Sequence, residues 1–131
     1  MPVKTVVTEG KPIVVCHMLG PLNMPQDADT VIVEVLQIKR KLGRSLYRIM
    51  DFTTANLQFS DMMVGMSYDK GKEGGTYDPE IKTIFVGDYE MVKFGTEAMM
   101  SQEHFKGANV VGVTASVAEA LDLAHKLLSK E

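Results

Sequence analysis

The amino-acid sequence predicts an α/β domain with a mixed, mostly parallel five-stranded sheet, four helices and an N-terminal antiparallel hairpin strand. Segments rich in Val and Ile alternate with segments whose apolar residues recur every three or four positions, which favours parallel strands joined by helical crossovers. The first two strand-like segments are separated only by a short turn, which indicates a hairpin. With 131 residues, of which 45% are hydrophobic, the chain suits a single domain over residues 1–131.

The first part of the chain predicts the hairpin and a long helix. Residues 3–8 and 12–19 flank a glycine-containing turn and form the two hairpin strands. Over residues 27–42 the apolar side chains recur at helical spacing and Gly43 provides a stop, so we predict a helix there. Its β-branched run at 31–35 would also suit a strand, and the sequence leaves that alternative open.

The rest of the chain repeats the alternation of strands and helices. The predicted elements are a strand over 46–52, a helix over 60–68, a strand over 81–86, a helix from 88 to about 103, a strand over 109–113 and a C-terminal helix behind a capping box at 116–119. Ser60 and Asp88 are expected to cap their helices. Phe94 is one of the predicted apolar positions of the third helix. Residues 69–79 are rich in glycine, which predicts a long flexible connection.

Charge and cysteine content narrow the class of protein. A formal net charge of -3 and a pI of about 5.6 argue against nucleic acid or an anionic membrane as the main partner. Cys16 is the sole cysteine, so no intrachain disulfide can form, and residues 1–11 lack the apolar run of a signal peptide. Both features indicate a cytoplasmic protein. The longest apolar run, residues 13–19, is far shorter than the ~20 residues of a membrane span.

No motif in the sequence indicates a catalytic, cofactor or metal site. The run at 70–76 lacks the Gly-Lys-[Ser/Thr] ending of a phosphate loop and precedes a strand, so we interpret it as a mobile surface loop, or as a lid over a pocket. The three histidines lie on three different elements, at His17, His104 and His125. Cys16 and His17 point to opposite faces of their strand, and Cys16 is expected to be buried beside Val14 and Met18.

Methionine is unusually abundant, with ten residues in the chain. Six of them fall in the second and third predicted helices, at Met62, Met63, Met66, Met91, Met99 and Met100. Side by side, these helices would present a soft, polarizable surface that adapts to varied ligands or partners, although methionine also fills gaps in cores. Met62 and Met66 share a helix face and Met63 lies about 100° away, so we expect that not all six reach the interior.

Four segments, by their order and spacing, resemble the STAS-like (SpoIIAA-like, anti-sigma-factor-antagonist) family and its short single-domain members. They are Arg48-Ile49-Met50-Asp51-Phe52, Phe59-Ser60-Asp61, residues 82–88 and residues 116–121. The resemblance implies a SpoIIAA-like sheet, with the lipid-binding CRAL-TRIO domains as distant structural relatives. In regulatory members a partner kinase phosphorylates a serine at the start of the second helix, within Asp-Ser-Ser-Gly. Ser60 occupies the corresponding place, without the second Ser or the Gly.

The resemblance and the methionines together predict a non-enzymatic regulatory or protein-interaction module. It would bind a partner, or itself as a homodimer, through the second and third helices. The candidate residues are Ser60 as a regulatory phosphosite and Asp61, Met62, Met63, Met66, Met91 and Met99 as an interaction or ligand surface. The alternative is a carrier of a small apolar ligand or lipid, with residues 69–79 as its gate. An enzyme is a weaker third possibility.

Overall fold

The structure, a computed structural model, describes residues 3–131, apart from the side chain of Tyr89. Its helices and strands follow the predicted order. They are β1 (Val3–Val7), β2 (Ile13–Met18), α1 (Gln26–Leu42), β3 (Leu46–Asp51), α2 (Phe59–Tyr68), β4 (Ile81–Val86), α3 (Tyr89–Met100), a short 3-10 turn (Glu103–Phe105), β5 (Val110–Thr114) and α4 (Val117–Ser129).

The five strands form one sheet in the order β1-β2-β3-β4-β5. Strand β1 pairs with β2 in the antiparallel direction, and every other neighbouring pair is parallel. The predicted fold class is therefore confirmed. Strands β1 and β5 form the two edges of the sheet, and the ladder between β4 and β5 has an irregularity at Val111.

Helices cover both faces of the sheet and divide the core in two. Helices α1, α2 and α3 pack on one face, and α4 packs on the other. Alternation along β2 sends Val14, Cys16 and Met18 to the three-helix side and Ile13 and Val15 to the α4 side, as predicted. Burial raises the pKa of the Cys16 thiol to about 11, so this thiol is protonated at neutral pH.

The β-branched run at 31–35 lies within helix α1. Val31, Ile32 and Val35 are buried, so packing against the sheet outweighs their weak helix propensity. Gly43 ends the helix in the left-handed conformation, with φ of 68°, and its N–H donates to the Lys39 carbonyl at 2.8 Å. The open alternative of a strand at 31–35 is therefore excluded.

Three sequence-based details differ from the structure. Helix α3 ends at Met100, and the predicted extension to about 103 is a separate 3-10 turn. Phe94 is not a core residue, because 73% of it is exposed. At α4, the Ser116 hydroxyl accepts the Glu119 N–H as predicted, but the Glu119 carboxylate accepts the N–H of Ala115 and not that of Ser116.

Among residues 3–131, no helix has both the length and the apolar character for crossing a bilayer.

Candidate functional site

A cavity of about 50 Å³ lies between the sheet and helices α1 and α2. Its wall is mainly apolar, and the side chains that line it are Met24, Ala28, Val31, Ile32, Arg48, Met50, Phe52, Leu57, Asp61, Met62, Met66, Asp69, Thr76 and Phe85, with Gly65 beside them. Two of the lining side chains, Arg48 and Asp69, are buried ionisable groups, which makes this cavity the strongest candidate for a binding site.

Arg48 lies on the central strand β3 and is only 2% exposed. Its guanidinium donates from Nη1 to the Gly74 carbonyl and from Nη2 to Thr83 Oγ1 at 3.0 Å. Its Nε has no hydrogen-bond partner within the described part of the chain. Burial lowers the pKa of Arg48, and the nearby carboxyl groups of Asp69 and Asp78 act in the opposite direction. A guanidinium stays protonated in proteins, so Arg48 is a buried cation with one donor unused.

Asp69 follows α2 directly and is 6% exposed. Its Oδ2 accepts the Thr76 N–H at 2.9 Å and the Thr76 hydroxyl at 2.7 Å, while Oδ1 has no partner among residues 3–131. Burial raises the pKa of Asp69, and the bonds from Thr76 and the charge of Arg48 offset only part of this effect. Two residues that line the cavity thus each keep a buried polar atom without a partner, a donor on Arg48 and an acceptor on Asp69.

The glycine-rich segment between α2 and β4 is not the flexible surface connection that we predicted. Gly74, Gly75 and Thr76 are buried, although residues 70–73 are exposed. The carboxylates of Asp69 and Asp78 accept backbone N–H groups of the segment, including that of Gly74 at 2.9 Å. Because these bonds pair backbone N–H groups of the segment with its own carboxylates, its second half is buried. Thr76 in this half lines the cavity.

Helix α2 begins one residue earlier than predicted. Gln58 is the N-cap residue, and the Asp61 carboxylate accepts the Gln58 N–H at 2.9 Å. Ser60 is exposed in the first turn, so the prediction that it caps the helix is wrong. An acidic residue at the third helical position reaches back to the N-cap amide, which is why Asp61 takes part in capping and Ser60 does not.

Three of the six methionines are buried and three are half-buried or exposed, so not all six reach the interior, as expected. Met62, Met66 and Met99 are buried, and the first two line the cavity. The other three are half-buried or exposed, at Met63, Met91 and Met100. Helices α2 and α3 are neighbours, because a Cβ added to Gly95 would lie 3.1 Å from the Phe59 ring. Of the candidate surface residues, the structure brings Asp61, Met62 and Met66 to the cavity.

Helices α2 and α3 also carry apolar side chains that are exposed or only half-buried. We define the α2–α3 surface as Phe59, Met63, Met91 and Phe94. Phe59 is 37% exposed and Phe94 is 73% exposed, whereas the two methionines are half-buried. Ser60 lies next to Phe59 and is exposed as well. Helix α2 therefore contributes residues both to the cavity wall and to a second candidate surface.

A pair that the sequence analysis missed joins the ends of β2 and β3. The parallel register sets His17 beside Asp51, and His17 Nδ1 lies 2.6 Å from Asp51 Oδ2. Asp51 Oδ1 accepts the N–H of Thr53 at 2.9 Å and its hydroxyl at 2.7 Å. Burial alone would raise the pKa of Asp51, but these bonds hold it below its usual value. The sequence did contain a signal for this pair, namely a histidine and an aspartate near the ends of two strands that are adjacent and parallel.

Replacing Asp51 by Asn is expected to lower the free energy of unfolding by about 1–3 kcal/mol at neutral pH, since it removes a charged acceptor. Because folding lowers the pKa of Asp51, its contribution is present above the unfolded pKa of about 3.9 and is lost as the pH falls through the lower folded pKa. Urea unfolding at neutral pH and below pH ~3 measures the difference. Asp122→Asn, at an exposed position, is the control. If the Asp51 variant lost the same unfolding free energy relative to wild type at both pH values, the prediction would be contradicted.

Comparison with known proteins supports the fold. No family model matches the chain, and no curated protein matches it either. Among solved structures, the chain is similar to an uncharacterized protein of the DUF3478 family from Shewanella loihica PV-4, described as having a SpoIIAA-like fold. The TM-score is 0.56 at 12% sequence identity, and the match covers 93% of this chain and 91% of that chain. The SpoIIAA-like fold predicted from the sequence is therefore confirmed.

Proposed function

We propose that this chain, with its SpoIIAA-like fold, is a non-enzymatic binding module that holds a small, mainly apolar molecule in the cavity beneath α2. The observation that carries the proposal is the pair of unpartnered buried atoms, Arg48 Nε and Asp69 Oδ1, on two residues that line one mainly apolar cavity. This proposal develops the carrier alternative of the sequence analysis. It differs in the role of residues 69–79, because Asp69 and Thr76 of this segment line the cavity.

The two unpaired atoms define the chemistry of the ligand. A buried polar atom without a partner costs about 1–3 kcal/mol, so a bound group that satisfies both atoms gains affinity. Arg48 Nε offers a proton and Asp69 Oδ1 accepts one. A hydroxyl or carboxamide does both, whereas a carboxylate satisfies Arg48 but is repelled by ionised Asp69. The apolar wall favours a short hydrocarbon attached to that group.

The size of the cavity limits the ligand to a few carbon atoms. At about 50 Å³, the cavity is much smaller than drug-sized pockets, which occupy ~300–1,000 Å³. Met24, Met62 and Met66 line it, and their unbranched side chains can change rotamer at low cost. A short-chain alcohol or amide fits this description, whereas a long-chain lipid would require α2 to move away from the sheet.

Binding of matched four-carbon probes tests the proposal. We expect 1-butanol and butyramide to shift the amide NMR signals of residues around the cavity, and butyrate and butane to shift them less. Arg48→Met should abolish the response to butanol, because it removes the donor and keeps much of the volume. Phe94→Ala is the matched control outside the cavity and should respond as the wild type does. Equal shifts for butane and butanol, or a normal response from Arg48→Met, would reject the polar part of the site.

A second candidate function, partner binding through the α2–α3 surface, is favoured by the exposure of Phe94. A large aromatic ring that is 73% exposed beside other apolar side chains is typical of an interaction site. Phosphorylation of Ser60 would place a dianion next to Phe59 and alter binding there. Quantitative pull-downs should show loss of partners with Phe94→Ala but not with Val33→Ala, an exposed valine of α1. Equal capture by wild type and Ser60→Asp would argue against a regulatory role for Ser60.

A further inference from the structure

Three ionisable residues line the cavity beneath α2, and two of them have polar atoms to offer a ligand. Arg48 and Asp69 each keep a buried atom without a partner within residues 3–131. The third, Asp61, is engaged at the start of α2, where its carboxylate accepts the Gln58 N–H at 2.9 Å. Within the described part of the chain, no lysine or histidine lines the cavity.

The two carboxylate oxygens of Asp69 differ in their capacity to take up a proton. Oδ2 already accepts the Thr76 N–H at 2.9 Å and the Thr76 hydroxyl at 2.7 Å. Oδ1 is buried and has no partner among residues 3–131. A proton that binds to Asp69 therefore goes to Oδ1 and converts this oxygen from an acceptor into an O–H donor. Burial raises the pKa of Asp69, which favours this protonation.

The titratable groups near Asp69 come from β2, β3 and the loop after α2. The positive charge of Arg48 on β3 opposes the effect of burial on Asp69. Burial, and after it the charge of Asp69, raise the pKa of Tyr77, whose hydroxyl has no partner in the described chain. Asp78 and the neutral thiol of Cys16 lie near Arg48. Helix α1 and strand β4 contribute no charged residue to the cavity wall.

The charges of Arg48 and Asp69 cancel when Asp69 is ionised. A ligand carboxylate would then add a second negative charge in a buried place, and two carboxylates at close range cannot both stay ionised at low cost. One proton removes this cost, because the two carboxyl groups then carry a single negative charge, which the guanidinium balances. The unpartnered atoms also fit such a pair, since Arg48 Nε donates to one oxygen of the ligand.

We propose that the cavity also binds short-chain carboxylic acids, each as a carboxylate together with one proton, an inference that rests on the proposed function. One ligand oxygen accepts from Arg48 Nε. The proton comes from solvent and lies between the other ligand oxygen and Asp69 Oδ1. Alcohols and amides need no added proton at this site, because they supply both a donor and an acceptor. Proton uptake therefore distinguishes the two ligand classes.

Titrations with butyrate and butyramide, followed by amide NMR at pH values of about 6, 7 and 8, test the proton, because a free carboxylate is ionised throughout this range. The dissociation constant of butyrate should rise about tenfold for each pH unit over which Asp69 is ionised in the free protein, whereas that of butyramide should stay constant. A butyrate dissociation constant that is independent of pH, or no butyrate binding at any pH, would overturn the proposal.

The variant Asp69→Asn tests whether Asp69 shares the proton. Its amide oxygen can accept from Thr76, and its NH₂ group supplies a permanent donor in place of the protonated oxygen. We expect its affinity for butyrate to be independent of pH and, at a pH of about 8, at least tenfold higher than that of wild type. Asp122→Asn, at an exposed position of α4, is the control and should keep the wild-type pH dependence. Persistence of that dependence in Asp69→Asn would show that neutral acid enters without Asp69 and would overturn the proposal.

The two probes separate failure of this inference from failure of the proposed function. Binding of butyramide, together with butyrate binding that does not change with pH, rejects the shared proton and leaves the cavity as a site for neutral ligands. No response to butyramide, butanol or butyrate at any pH rejects both. Circular dichroism checks that the variants are folded, and the wild-type pH series decides the question of the proton without them.

Discussion

Replacing Arg48 by Ala is expected to lower the free energy of unfolding by about 3–5 kcal/mol. The change enlarges an existing cavity and removes the donors of two buried hydrogen bonds, to the Gly74 carbonyl and to Thr83 Oγ1. Arg48→Met should cost less, about 1–3 kcal/mol, because it retains volume and no longer buries a cation without a carboxylate in contact. Urea unfolding of the three proteins at neutral pH measures these differences.

Comparing the two Arg48 variants separates the loss of stability that comes from packing from the loss that comes from polar contacts. If packing and polar contacts both matter, the order of stability is wild type, Met variant, Ala variant. An Ala variant as stable as wild type would mean that the cost of burying the guanidinium cancels its hydrogen bonds. A Met variant less stable than the Ala variant would contradict the packing argument.

Replacing Gly74 by Ala is expected to lower the free energy of unfolding by about 2–4 kcal/mol, from strain and overpacking together. Gly74 has φ of 90°, and an added Cβ would lie 2.8 Å from Leu36 Cγ and 3.2 Å from Ile32 Cγ2. The Leu36 atom is the branch point of its side chain, so either the Leu36 rotamer or the position of α1 has to change. Displacing Gly74 would also disturb its bonds to Arg48 and Asp78.

Gly71→Ala is the control for Gly74→Ala within the same loop. Gly71 has φ of 80° but nothing within 4 Å of an added Cβ, so its replacement costs the backbone strain alone, about 1 kcal/mol. Thermal and urea unfolding of both variants gives the part of the cost that is due to packing against α1. Equal losses for the two variants would show that the Gly74 contact with Leu36 is relieved without cost.

Helix α2 connects the two candidate functions. Met62 and Met66 line the cavity, and both Phe59 and Met62 lie close to Gly95 of α3. A molecule that displaced the methionines would change the position of α2 and therefore the α2–α3 surface. The variants Arg48→Met and Phe94→Ala act on one side each, so they measure the two activities separately.

The order of the elements and the direction of the strands were predictable from the sequence. Period-2 and period-3.6 apolar patterns arise from local backbone geometry, and a right-handed crossover follows once strands and helices alternate. The same reasoning placed Cys16 on the core face with Val14 and Met18. Asp88 was also assigned correctly, because its carboxylate accepts the Met91 N–H at 3.2 Å and such caps involve neighbours in sequence.

The candidate sites depended on contacts between residues far apart in the chain. Arg48 and Gly74 are brought together by the turn that Asp69 and Asp78 close, and His17 meets Asp51 only through the register of two parallel strands. Composition pointed the other way, because five of the six residues 70–75 are glycine or lysine, and such a run suggests an exposed loop unless its amides find internal partners.

The sequence by itself determined the class of fold, since apolar periodicity and turn residues are properties of consecutive positions. Only the tertiary structure decided which side of α2 encloses a cavity, that Phe94 faces solvent, and that Arg48 and Asp69 each keep an unpaired atom. The physical reason is that burial and hydrogen bonding depend on what packs against a side chain, and for these residues the neighbours come from other elements of the fold.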